Sequence, residues 1–229
     1  MPIIFITLSE SYAEKIRQHG FESLVMKIQD YYPRSTARMT YYVSPANSLC
    51  FMDGGIDFAL SRQVFPGIEP LVKQQVRELG RQTLLGRPYL PIGSSIIIEQ
   101  QQTQHPHNAK MALCVAPTML LPQNVSQTRN AYYATMAALY NIRVNHGANL
   151  DDTDILLTSF CCGYGRMDED ESIQQILQGI REYMNYQPTY KSNENGKIIV
   201  LAEPNLGEQP KYYQNTEWLD IQPSEIIKC

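Results

Sequence analysis

The sequence lacks the marks of a nucleic-acid binder, a disulfide scaffold or a membrane protein. Its 229 residues contain no Lys/Arg run, and nineteen basic side chains against twenty-three acidic ones give a formal net charge of −4. That balance excludes a broad surface for the phosphate backbone of nucleic acid. Any anionic ligand has to be held by local devices. The cysteines number five, Cys50, Cys114, Cys161, Cys162 and Cys229, and none form a CxxC pair. An odd count with two adjacent thiols indicates neither a disulfide framework nor a zinc site. His105 and His107 stand in the polar stretch Gln100–Asn108 without a carboxylate or thiol beside them, which reads as a solvated loop. No segment approaches eighteen apolar residues, so no membrane span is expected. The apolar start, Met1–Thr7, is too short for a signal peptide and carries no basic residue. The expectation is a soluble, cytoplasmic protein without metal or cofactor.

What is present is a globular composition, 43% apolar and 18% charged, at a length that fits one large α/β domain or one domain with an appendage. Short β-branched or aromatic runs suggest strands at Ile3–Thr7, Met39–Ser44, Ser95–Glu99, Met111–Ala116, Ile155–Ser159 and Lys197–Leu201. Helical spacing lies between them. One helix is expected near Ser11, where Ser11 and Glu14 fit a reciprocal S-x-x-E cap. Others are expected over Glu69–Leu84 and Asn130–Tyr140, and along the stripe Ile173, Ile176, Leu177, Ile180 and Met184. The last has Asp168, Glu169, Asp170 and Glu171 at its positive end. Strands alternating with helices predict a layered α/β fold on a largely parallel sheet, whose ligands collect outside the carboxyl ends of the strands. From about Gln187 the composition turns to Asn, Lys, Glu, Pro and Tyr. Residues 1–186 are therefore expected to form the domain and 187–229 an appendage packed on it.

Three segments carry glycines, two of them after strands and the third before one. Ser44-Pro-Ala-Asn-Ser-Leu-Cys-Phe-Met-Asp-Gly-Gly-Ile-Asp57 sets Asn47, Asp53 and Asp57 around Gly54-Gly55, which let backbone approach a ligand without a Cβ between them. It also reads as a plain turn with Asp57 in the first turn of a helix. Thr158-Ser-Phe-Cys-Cys-Gly-Tyr-Gly-Arg-Met167 permits amide groups to converge on an anion before a helix, although it matches neither G-x-G-x-x-G nor a P-loop. Leu90-Pro-Ile-Gly-Ser-Ser95 reads alone as a strand entry.

In this order and spacing, the three segments resemble the macro domain family over roughly residues 3–185, and most of all its branch with an S-P-A-N-S…M-D-G-G-I-D signature. Ser44-Pro-Ala-Asn47 and Gly54-Gly55-Ile56-Asp57 resemble the family's N-A-A-N and G-G-V-D first loop. Cys161-Cys-Gly-Tyr-Gly-Arg-Met167 is similar to its G-T-G-x-G-G-M second loop, with Cys161 and Cys162 in place of Gly-Thr. Leu90-Pro-Ile-Gly93 is similar to its P-x-G turn, and Ala116-Pro-Thr-Met119 and Thr128-Arg-Asn130 also fit the branch. The resemblance implies a three-layer α/β/α sandwich around a mixed, largely parallel sheet, with ADP-ribose or an ADP-ribosylated protein as partner. It implies that Glu10, where the family has Asp, accepts the adenine amino group. Amides of Ser48–Phe51 and Cys162–Arg166 would take the diphosphate. Gly54, Gly55, Ile56, Gly93, Gly163 and Gly165 would line the cleft, and Tyr164 and Phe51 would pack on the distal ribose. Asn47 would hold a ribose hydroxyl while Asp57, or Asp53, activates water for hydrolysis of an ADP-ribosyl linkage. The alternative is a reader that binds ADP-ribose without cleaving. A third is an interaction module with a vestigial cleft.

Overall fold

A computed structural model describes residues 2–83, 86–100, 110–147, 150–185, 190–192 and 198–201. Strand β1, Ile3–Thr7, shows how the molecule is layered. Ile3 and Phe5 pack into one apolar cluster, Ile4 and Ile6 into another, and all four are buried. A strand apolar on both faces belongs inside a sheet covered on both sides. Helix α1, Glu10–Gln18, follows at once. Its N-cap is Ser9, whose Oγ accepts the Tyr12 N–H at 3.1 Å. The expected Ser11/Glu14 cap is thereby corrected: Ser9 is the extended residue beside the first turn, and Glu10 is already helical.

Strands β2 (Glu22–Val25), β3 (Met39–Ser44), β4 (Ser94–Gln100), β5 (Lys110–Val115), β6 (Thr153–Leu157), β7 (Tyr190–Ser192) and β8 (Ile198–Leu201) complete an eight-stranded sheet in the order β2-β1-β6-β3-β5-β4-β8-β7. The five strands from β2 to β5 run parallel; β4, β8 and β7 are added antiparallel to their neighbours. This is the mixed, largely parallel sheet expected. Strand β8 matches the expected strand at Lys197–Leu201 except for Lys197, which lies outside the described residues. So do the histidine-bearing stretch 101–109 and most of the tail.

On one face lie α1, α4 (Asn130–His146) and α5 (Glu169–Asn185). On the other lie α2 (Gly55–Ala59), its π-helical continuation Leu60–Val64, and α3 (Ile68–Glu78). Helix α5 buries Ile173, Ile176, Leu177 and Ile180, the expected stripe, though Met184 stays exposed. Each of those four contributes about 2 kcal/mol by leaving water. Helix α4 is apolar nearly all round because it lies between the sheet and α5. Its buried Asn141 donates through Nδ2 to the Ser95 carbonyl and Oγ, both at 3.0 Å, which pins it to β4. Helix α3 stops before the expected Leu84, because Gly80 at φ +70° supplies the left-handed residue that ends a helix.

Candidate functional site

The parallel strands end on one side of the molecule, and a cleft of about 710 Å³ opens there. Thr7 to Ser9 after β1, Thr158 and Ser159 after β6, Pro45 and Asn47 after β3, and Thr118 and Met119 after β5 contribute to it. This is the placement that parallel α/β sheets impose on ligands. Backbone hydrogen bonds fix the loops that follow β3 and β5 as one unit. The N–H of Thr118 donates to Ala46 O at 2.9 Å, and that of Ser48 to Met119 O at 2.7 Å. Buried Asn130, at the start of α4, adds a bond from Nδ2 to Thr118 O at 2.8 Å.

The loop after β3 is held from inside by Asn47. Its Nδ2 donates to Phe51 O at 2.8 Å and its Oδ1 accepts the Phe51 N–H at 3.3 Å. The amide nitrogen has a second proton and the oxygen a second lone pair, so Asn47 retains capacity toward a ligand hydroxyl. The chain then passes Asp53 and enters α2 at Gly54. Gly54 makes no side-chain cap, which leaves the first amides of the helix without an intrahelical acceptor. Gly55 takes φ +53°, a left-handed conformation that favours glycine. Asp57 sits in the first turn, buried, but its side chain does not cap the helix: its Oδ1 accepts the Ser44 hydroxyl at 2.6 Å. Burial pushes the Asp57 carboxyl up to about 6, against the Ser44 bond, which favours the charged form; Asp53 adds repulsion.

The second loop, after β6, crosses to meet the first. The Tyr164 ring reaches 3.6 Å from where a Cβ on Gly54 would stand, and the ring is otherwise mostly exposed. The amides of Gly163 and Tyr164 have no backbone acceptor among the described residues. A Cβ on Gly163 would meet nothing within 4 Å, whereas one on Gly165 would stand 2.3 Å from Cys161 O. Gly163 therefore opens the loop to the cleft, and Gly165 permits its internal packing. Burial raises both cysteine thiols above their ordinary range, so Cys161 and Cys162 are poor nucleophiles.

Asn47, Phe51, Asp53, Gly54, Gly55, Ile56, Asp57, Gly163 and Tyr164 thus gather at the cleft. Six others lie off its wall. Glu10 is the first residue of α1 and turns outward to Arg17, with Oε1 at 2.8 Å from Nη1. Ser9 fills the cap position, and this directs Glu10 to the surface. Ser48 is fully buried and its amide is spent on Met119. The amides of Cys50 and Phe51 are likewise taken, by Asn47 O and Oδ1, so three of the four amides of the expected diphosphate cradle at Ser48–Phe51 are already bonded. Gly93, at φ +78°, makes the turn into β4. Cys162 directs its thiol to Phe160 O at 3.4 Å. Gly165 is packed inside its loop, and Arg166, at φ +53°, closes the loop through its N–H to Gly163 O at 3.1 Å. The positive end of α5 is occupied too, since Asp168 Oδ1 accepts the Asp170 N–H at 2.8 Å.

Sequence reasoning missed the wall formed by Met26, Lys27, Ile28 and Gln29. Short, half-polar β2 gave no strand signal, so the loop behind it had no assigned place. Among the cleft residues Lys27 is the one Lys or Arg, while three are acids, Asp53, Asp57 and Glu169. An anion bound here must therefore be held chiefly by backbone amides. No group of three or more His, Cys, Asp or Glu placed to hold a metal occurs among the described residues, and no described helix is long and apolar enough to cross a membrane.

No protein-family model matches the chain, and no curated protein matches it in sequence. Solved structures do. A glycine-to-valine variant of the Oceanobacillus iheyensis macrodomain, solved with ADPR, superposes with a TM-score of 0.51 at 15% identity, over 80% of each chain. The same macrodomain with ADP gives 0.48 at 19% identity, over 68% of this chain and 71% of that one. Thermosipho africanus DarTG in complex with ADP-ribose gives 0.48 at 10% identity, over 78% of this chain and 50% of that one. The first of these, together with the sheet described above, establishes the α/β/α macrodomain fold for this chain.

Proposed function

We propose that the cleft binds ADP-ribose and that the protein hydrolyses an ADP-ribosyl linkage on a modified target. One observation carries this reading. Two loops with unpaired amides, at the start of α2 and at Gly163–Tyr164, bracket a buried carboxylate, Asp57, that titrates near 6. The amides suit a diphosphate, which fits a cleft nearly free of Lys and Arg. The base then lies toward Leu8 and Met26–Gln29, and the distal ribose toward Asn47, Phe51 and Tyr164.

In the reaction, the ionised Asp57 carboxylate takes a proton from a water as the water oxygen bonds to the anomeric carbon. The bond from that carbon to the target breaks, and the departing atom keeps the electron pair and takes a proton from solvent, while Asp57 gives its own back to solvent. A base titrating near 6 is ionised at neutral pH and still matched to this transfer. Asn47 and Tyr164 position the ribose.

A second reading, a reader without turnover, has its own support. The Asp57 Oδ1 is already bonded to Ser44, as befits a carboxylate that ties α2 to β3. Calorimetry and a turnover panel separate the two. ADP-ribose is expected to bind at about micromolar Kd, near −8 kcal/mol, and AMP far more weakly. Equal affinity for both ligands overturns the cleft assignment. Tight binding without turnover of any ADP-ribosylated substrate leaves the reader.

A further inference from the structure

Beside the cleft runs a second groove, of about 370 Å³, and Phe51 lines both. The two thus adjoin at one aromatic ring. Leu49, Val76 and Pro88 give this groove an apolar lining. Lys73, Arg77 and Arg87 are its charged residues, and no acid lines it. The Lys73 ammonium lies 4.7 Å from the Phe51 ring centroid and 2.6 Å from Glu69, so it holds the ring and is itself largely neutralised. Arg77 and Arg87 are exposed and make no ion pair among the described residues. In a chain of net charge −4, two guanidinium groups without an ion pair among the described residues, beside an apolar lining, are a local reversal of sign.

We propose that this groove receives the polypeptide that carries the modification, and that it favours a segment with an apolar side chain flanked by Asp or Glu. The inference rests on the ADP-ribose reading, which sets the distal ribose, and with it the bond to the target, at Phe51 beside the groove. Charge complementarity selects the acidic flanks: a carboxylate meets each arginine in the planar, two-donor geometry that guanidinium offers. The apolar lining takes the side chain between them. A single-stranded nucleic acid fits less well. Its bases need successive aromatic platforms, and the groove has one ring, already covered by Lys73.

The test uses the full chain and peptides carrying ADP-ribose through a non-hydrolysable linkage, titrated beside free ADP-ribose. Acidic flanks are expected to tighten binding about tenfold over free ADP-ribose, and Lys flanks to give no gain. The double variant Arg77→Glu/Arg87→Glu should erase the gain and leave free ADP-ribose affinity unchanged. A gain that survives in that variant, or that appears equally with Lys flanks, overturns the proposal. So does an ADP-ribosylated oligonucleotide that gains the same arginine-dependent tightening. Failure of free ADP-ribose to bind overturns the cleft reading, and the groove is then read by itself from amide shifts with unmodified acidic peptide at millimolar concentration. Shifts at Leu49 and Val76 that vanish in the double variant support it, and their absence overturns it.

Discussion

Ser44, the last residue of β3, donates its hydroxyl to Asp57 in the first turn of α2 across 2.6 Å. The bond joins the sheet to the loop that closes over the cleft, and it acts on the protonation of the carboxylate. Burial raises Asp57 toward 6 from an ordinary value near 4, and the Ser44 bond opposes that rise. If Asp57 is the base, the acid limb of a kcat/KM profile against pH should have its midpoint near 6. Ser44→Ala should move that midpoint upward, since the donor that favours the ionised form is gone. A limb that stays in place in Ser44→Ala separates Asp57 from the titration.

The same shift has a consequence for stability. A carboxyl whose folded pKa is raised binds its proton more tightly in the folded state than in the unfolded chain. Its contribution is full below pH 4 and is lost as pH rises through about 6. Wild type should therefore lose roughly 2–3 kcal/mol relative to Asp57→Asn between pH 4 and pH 7. Paired urea titrations of the two proteins at both pH values read this difference directly.

Removing the carboxylate separates the two functional readings. Asp57→Ala should keep ADP-ribose affinity within a few-fold and lower turnover by roughly 10²–10⁴. Asp53→Ala, measured beside it, should have the smaller effect, because Asp53 enters as a repulsion that raises Asp57. The reverse ranking would transfer the role to Asp53.

Gly163 and Gly165 lie two residues apart and should respond in opposite ways. Gly163→Glu meets open space, so its melting temperature should match wild type while ADP-ribose binding is abolished by bulk and charge at the cleft. Gly165→Ala places a Cβ 2.3 Å from Cys161 O and 2.8 Å from Val125 Cγ2, and should unfold the loop or the protein. Thermal melts with and without ADP-ribose distinguish them.

Glu10 supplies a prediction that runs against the sequence reading. Its carboxylate is exposed and paired with Arg17, so Glu10→Ala should leave both the melting temperature and ADP-ribose affinity close to wild type. A loss of affinity on calorimetry would mean that Glu10 leaves Arg17 when the base binds.

Much of this could be read in the chain, and for local reasons. Apolar residues alternating on both faces at Ile3–Thr7 and Met39–Ser44 specify buried parallel strands, and Ile173, Ile176, Leu177 and Ile180 specify one face of a helix. Gly54-Gly55 and Gly163 mark where backbone lies bare at the cleft, because glycine permits close approach at any site where it occurs. Short β2 and the turn of chain behind it gave no such signal, since a four-residue strand at a sheet edge needs no full apolar pattern.

The sequence by itself determined the layers, the order of the loops, and which residue types would be available near a ligand, because period and backbone freedom are properties of a few neighbouring residues. Tertiary structure alone decided which of those residues face the cleft. Glu10 turns away because Ser9, one residue earlier, takes the cap. The amides of Ser48, Cys50 and Phe51 are consumed by Met119 and Asn47, so unpaired donors remain at the start of α2 and at Gly163–Tyr164. Asp57 differs from Asp53 because β3 delivers Ser44 to it inside a buried site. Direction, partnership and burial depend on chain segments far apart in sequence, and folding brings those segments into contact.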